Sequence, residues 1–310
     1  MNFTVREYVN NSFSLAIEPW FIPIDIFMII CTTLTILITF VFLYILISDK
    51  TCHTIPMLLT GNSCLSVLLY ACILLSFSIF SLENDLKQIH FQDLFCSYRG
   101  YFGYVFCAAL DYSFLIQALY RYVIIRYPSR FLWKSFKFQF VLISITWLFS
   151  FLHPIVFIFV DQLIYNVDNQ ICQVPLRLSF YLLYGSFCIY LLPTMILMFI
   201  YLKLTLYIKE IHKLVTPINI LLRAQQELQM VRRIVSIIAI LLTLGLPYVL
   251  FMLMSFFKSA PKYHFRLAYI FVDGSLLFVT IAIFQFTDPL KVSLKKRLNG
   301  QTNQILPAVI

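Results

Sequence analysis

The chain is short of what a water-facing surface or a joint between domains requires. Only 12% of its 310 residues are charged, 61% are hydrophobic, and glycine occurs 7 times. A soluble surface cannot be built from that composition. No Ser/Gly/Pro-rich stretch or run of like charge marks a linker or a disordered tail, so one compact membrane domain is expected. Residues Met1 to Asn11 carry Arg6 and Glu7 and no apolar core of leader type, so no cleaved leader is expected.

Signatures of chemistry are equally sparse. His53, His90, His153, His212 and His264 are scattered, with no pair at the i, i+4 spacing of a metal site. There is no Gly-rich phosphate loop, no Gly-x-Ser-x-Gly elbow and no evident pair of carboxylates within the membrane. Neither enzyme activity, metal nor cofactor is expected. A net charge of +9 would suggest nucleic acid in a soluble protein, but here the cations lie in short loops and membrane topology accounts for them.

What the chain does contain is apolar runs of about 20 residues or more, the length a helix needs to cross a bilayer. Seven spans are predicted: Phe21 to Ser48, Pro56 to Leu82, Phe95 to Ile125, Phe138 to Val160, Leu178 to Tyr207, Met230 to Phe257 and Phe265 to Phe286. An all-α bundle follows, with residues 1–20 as an extracellular segment, 21–290 as the membrane domain and 291–310 as a cytoplasmic amphipathic helix and short tail. Placing the N-terminus outside puts 16 of the 23 Lys and Arg on the cytoplasmic side, which sets the orientation. The sequons at Asn2 and Asn10 then face the compartment where glycosylation occurs.

Five cysteines lie inside spans (Cys31, Cys64, Cys72, Cys107, Cys188) and Cys52 lies on the reducing side. Cys96 and Cys172 remain, both extracellular. They pair as a disulfide that pins the loop after span four over the bundle, or stay as two free thiols.

Cys96 is followed 25 residues later by Arg121 within Tyr120-Arg121-Tyr122, and then by Pro128. Trp147 lies in span four, Pro193 and Tyr201 in span five and Pro247 in span six, and Asp288-Pro289 closes span seven. In the order and spacing of these residues the chain resembles the rhodopsin-like G-protein-coupled receptors over nearly its whole length. A basic amphipathic stretch, Lys291 to Leu298, follows. Departures accompany the match. Tyr120 stands for the acid before the arginine, Gly245 for the aromatic two residues before the span-six proline, and Val292 for the tyrosine after the span-seven proline. Val67 occupies the sodium-binding aspartate's place, and Thr39 lies near that of the span-one asparagine.

The resemblance implies a plasma-membrane, multi-pass receptor that takes an extracellular ligand and activates a heterotrimeric G protein. The rivals are a carrier or channel, and a decoy receptor of the same fold. At the cytoplasmic end Tyr120, Arg121, Tyr122, Pro128, Tyr201 and Glu227 are the expected coupling set, with an Arg121 to Glu227 ion pair holding spans three and six together. Pro193, Pro247, Asp288 and Pro289 are expected hinges. Gly103, Tyr104, Cys107, Tyr248, Met252 and Phe278 are the implied ligand pocket. Gly103 stands where amine receptors hold an aspartate, and span seven lacks a lysine for retinal, so neither an amine nor retinal is expected. Asp111 is read as a buried structural acid, with a polar hinge or proton site as the alternative. Glu83, Asp85, Asp93, Asp161, Asp168 and Asp273 are assigned to the outer rim, where they meet a basic peptide or solvent.

Overall fold

The computed structural model describes residues 20–89, 91–127, 129–213, 218–257, 259 and 261–298. Among these, six helical segments are long and apolar enough to cross a membrane, and a seventh apolar stretch, Gly245–Phe256, lies within a longer helix. The spans are α1 (Phe21–Ser48), α2 (Ile55–Lys87), α3 (Cys96–Arg126), α4 with α5 (Phe136–Leu152, Ile155–Phe159), α6 with α7 (Phe180–Ser186, Leu192–Lys213), α8 (Ile218–Phe256) and α9 (His264–Phe286). A short helix, α10 (Asp288–Leu298), ends the described chain.

Polar residues within the spans are satisfied locally, as hydrocarbon requires. In α1 the hydroxyls of Thr32 and Thr35 donate to the carbonyls of Met28 and Cys31 at 2.8 and 2.9 Å, and Thr39 does the same to Thr35. All three are buried, so they mark the face that packs on the bundle. The opposite faces carry large exposed apolar side chains, such as Phe40 at 65% and Ile47 at 72% exposure. These face lipid. Span three is the most buried of the six long apolar spans and packs against α2, α4, α7 and α8.

Prolines shape three of the spans. Pro154 interrupts span four between α4 and α5. Pro193 lacks the N–H that would bond to Ile189, and a π-helical segment, Phe187–Leu191, precedes it. Pro247 lies inside α8. That helix begins at Ile218, well before the expected Met230, because the intervening Arg223, Ala224, Gln225, Gln226, Glu227 and Leu228 are good helix formers that continue the span past the membrane. Asp288 and Pro289 open α10 rather than close α9, with the break at Thr287.

The chain is not wholly helical. Between spans four and five, β1 (Ile164–Asn166) and β2 (Ile171–Gln173) form an antiparallel hairpin with Tyr165 opposite Cys172. Cys172 is disulfide-bonded to Cys96 at the start of α3, with a Cα–Cα distance of 5.4 Å. The hairpin is thereby held across one mouth of the bundle, called here the disulfide end.

Candidate functional site

At the disulfide end the hairpin is stitched to three spans. Gly100, one turn into α3, is needed because a Cβ there would collide with the carbonyl oxygen of Cys172. Asn169 in the hairpin turn is fully buried, and its Oδ1 accepts from the backbone N–H groups of Phe265 and Arg266 at 3.0 and 3.1 Å. It therefore caps the first turn of α9 from a different part of the chain. Gln170, held at φ 56°, donates to Asp85 at 2.6 Å. Asp85 also receives both terminal nitrogens of Arg266, at 2.5 and 2.8 Å, with 0% and 4% of the two side chains exposed. The guanidinium rests on the Phe21 ring at 4.3 Å.

This cluster corrects the assignment of Asp85 and Asp273 to a solvated rim. Both are buried, as is Asp25 in span one. It also corrects the absence of paired carboxylates within the membrane, since Asp25 lies within electrostatic reach of Asp85 and Asp273. Sequence reasoning singled out Asp111 as an acid within a span, passed over Asp25 and placed Asp273 on the rim, although the same signal marks all three. Asp93 pairs with Arg99 at 2.7 Å and Asp168 with Lys262 at 3.4 Å. On the hairpin itself, burial pushes the Tyr165 phenol up to about 12.

Below the hairpin lies a chamber of polar aromatics. Gln173 links Tyr104 of span three, at 3.4 Å, to Tyr269 of span seven. Tyr248 of span six meets Tyr104, and the Cys107 thiol lies 3.3 Å from the Tyr190 hydroxyl of span five. Met252 approaches Ser186 at 3.6 Å. Gly103 faces Phe77 and Ile73 of span two. Of the expected pocket residues, Tyr104, Cys107, Tyr248 and Met252 gather here. Phe278 does not. It lies two residues, some 200° of helix, from the buried Leu276, is 57% exposed, and belongs to the lipid-facing stripe with Phe271. Asp111 sits one turn below Cys107, within electrostatic reach of it and of Tyr190. Tyr190, Tyr269 and Gln173 were missed; Gln173 follows the loop cysteine directly, which is the one signal that places it over the chamber.

At the opposite end the coupling candidates form two packing groups. Tyr120 is buried among Ile55, Leu59, Ile116 and Ile124, so an aromatic core contact occupies the position of the family's acid. The Arg121 guanidinium lies 5.8 Å from the Tyr120 ring. Tyr122 and Tyr201 pack with Leu204 and Val235, joining spans three, five and six. Arg233 of span six donates to the carbonyl of Phe286, the last residue of α9, at 2.9 Å. Ser293 of α10 donates to Asp49 at 2.5 Å, and Leu290 is buried with Ile45, Cys52 and Met57, so α10 is docked on the end of α1. Pro128, Asn2, Asn10 and the side chains of Glu227, Asp288 and Pro289 lie outside the described residues.

A seven-span bundle roofed by a disulfide-tethered hairpin over an aromatic chamber has the form of a membrane receptor. Residues 40–282 match the family described as 7 transmembrane receptor (rhodopsin family). The chain belongs to that family, and it is a multi-pass membrane protein. No curated protein is a significant sequence match. Among solved structures it is similar to squid rhodopsin, with 17% identity, a TM-score of 0.76 and 93% of each chain covered, a likeness of fold.

Proposed function

We propose that the protein is a plasma-membrane receptor whose disulfide end faces outward, and that it binds a peptide or small molecule in the chamber under the hairpin. Ligand binding is relayed to a heterotrimeric G protein at the opposite end. The carrying observation is the convergence of side chains from spans three, five, six and seven and from the tethered hairpin on one chamber. A ligand there touches the very elements whose relative positions define the receptor's state.

The outward assignment is supported by the disulfide, which persists in an oxidising compartment, and by the excess of Lys and Arg at the other end. At the far end, Tyr122, next in sequence to Arg121, and Tyr201 pack at the junction of spans three, five and six, where an outward swing of span six about Pro247 would open a groove for a G-protein helix. The ligand is neither retinal nor one anchored by an amine on span three, since span seven has no lysine and Gly103 occupies the anchoring place.

The test is activation of a promiscuous G protein in cells expressing the chain, screened with peptide and small-molecule panels. An agonist whose potency falls at least tenfold in Tyr248→Phe or Gln173→Leu, at equal surface level, supports the reading. Ligand binding without G-protein activation would make the protein a decoy of the same fold. Substrate flux without ligand response would make it a carrier.

A further inference from the structure

We infer that the loop between spans three and four is a seat for an anionic phospholipid, in the leaflet at the end of the bundle opposite the disulfide. Arg130, Lys134 and Lys137 hold the headgroup, and Phe131 and Leu132 enter the boundary between headgroups and acyl chains. Charge points to this occupant first. Between Asp111 and Asp161 the sequence holds five Lys and Arg and no acid. Three of the five, Arg130, Lys134 and Lys137, follow one another at the exposed turn between the two spans. Among the described residues neither Arg130 nor Lys137 is in an ion pair.

The turn is built rather than loose. Phe131–Lys134 form a 3₁₀ helix. The backbone N–H groups of Arg130, Trp133 and Ser135 donate to the carbonyls of Tyr127, Arg130 and Leu132 at 3.0, 3.3 and 3.1 Å. The buried Gln139 of span four donates to the Trp133 carbonyl at 2.8 Å, and the Trp133 ring meets Phe138 edge-on at 5.1 Å. Trp133 is thereby folded back on the start of span four. Its neighbours point the other way: Phe131 is 79% and Leu132 67% exposed. The Lys134 ammonium lies 5.6 Å from the Phe131 ring, so charge and apolar surface share one side of the turn.

Large apolar side chains held out beside cations are unfavourable in water and favourable at a membrane surface, where each finds its own layer. Cations clustered next to the end of a span attract anionic headgroups. A lipid phosphate supplies the acceptor oxygens that no acid of this stretch supplies. A free phosphate would satisfy the cations and leave Phe131 and Leu132 in water, so the apolar pair selects a lipid. The inference rests on the chain's place in a bilayer and not on G-protein coupling.

The experiment compares spin-labelled phosphatidylserine with spin-labelled phosphatidylcholine for association with the purified full-length protein in phosphatidylcholine bilayers. The parent should prefer the anionic lipid several-fold. In Arg130→Gln/Lys134→Gln/Lys137→Gln the preference should fall toward about one. Phe131→Ser/Leu132→Ser, which keeps every charge, should also lower it. Lys50→Gln/Arg297→Gln, which removes two cations beside α10, should leave most of it. An equal loss in that last variant means a diffuse attraction of the whole basic end and overturns the inference. So does displacement of the lipid by free inorganic phosphate, or a preference unchanged in the triple variant. Unchanged lipid preference with lost G-protein activation would give this face to the protein partner instead. Should a variant fail to fold, photocrosslinking of the unmodified protein by a headgroup-labelled phosphatidylserine decides: labels on residues 130–137 support the seat, and labels spread over the other basic segments refute it.

Discussion

The Arg233 guanidinium donates to the Phe286 carbonyl across 2.9 Å and lies 5.7 Å from the Phe286 ring, joining span six to the last turn of span seven. Terminal carbonyls of a helix have no intrahelical partner and carry the negative end of its dipole, so a cation there is favourable. The contact sits at the end where span six must move outward in the proposed receptor. Arg233→Gln should therefore raise basal G-protein activation and lower the unfolding temperature by a few degrees. The site is half-exposed, so the loss should fall toward the lower end of the roughly 1.5–3 kcal/mol of a charge-assisted hydrogen bond. Basal nucleotide exchange at matched surface level, unchanged from the parent, would refute this.

The Asp85–Arg266 pair should behave as a buried pair, in which removing one partner is costlier than removing both. Asp85→Leu or Arg266→Leu alone should destabilise by about 3–5 kcal/mol and reduce surface delivery, because one charge stays buried without its partner. The double variant should recover much of the loss. Thermal unfolding and surface labelling of all three decide the matter, and additive losses would show that the pair is not coupled.

At Gly100 the neighbour is backbone, the Cys172 carbonyl held by the disulfide, and backbone cannot rotate aside. Gly100→Ala should displace the hairpin, costing about 1–3 kcal/mol, while Gly245→Ala should be well tolerated because open space surrounds that position. Comparable surface yield for both variants would contradict the close approach.

Asn169 caps span seven without being near it in sequence. Asn169→Ala should cost about 0.5–2 kcal/mol, with faster hydrogen exchange confined to the first turn of α9. Exchange there as slow as in the parent would count against the cap.

Much of the architecture could be read from residue order, because crossing a bilayer leaves helices as the main solution and sets their length. The start and end of span one, Phe21 and Ser48, are those expected, and the disulfide is one of the two alternatives that cysteine placement left open. The candidate site was only partly legible. Tyr104, Cys107, Tyr248 and Met252 sit on spans whose inward faces family spacing marks. Phe278 was misplaced because an apolar helix carries little contrast between its lipid and bundle faces. The acids Asp85 and Asp273 were misread for another reason: their partners, Arg266 and Gln170 for one and the neighbourhood of Asp25 for the other, come from distant segments. Pairing across 181 residues, as between Asp85 and Arg266, leaves no local pattern. Asn169 and Gln170 look like ordinary turn residues until the fold brings them against spans seven and two.

The cap of Asn169 on α9 has a mechanical consequence. Span seven runs 23 residues, about 35 Å as a single rod. Its upper tip hangs from the roof over the chamber and its lower tip is clasped by span six. Lifting or tilting that roof pulls on span seven as well as on spans two and three, so a push on the lid reaches the far side by way of a stiff strut, even though the lid's covalent anchor is on span three.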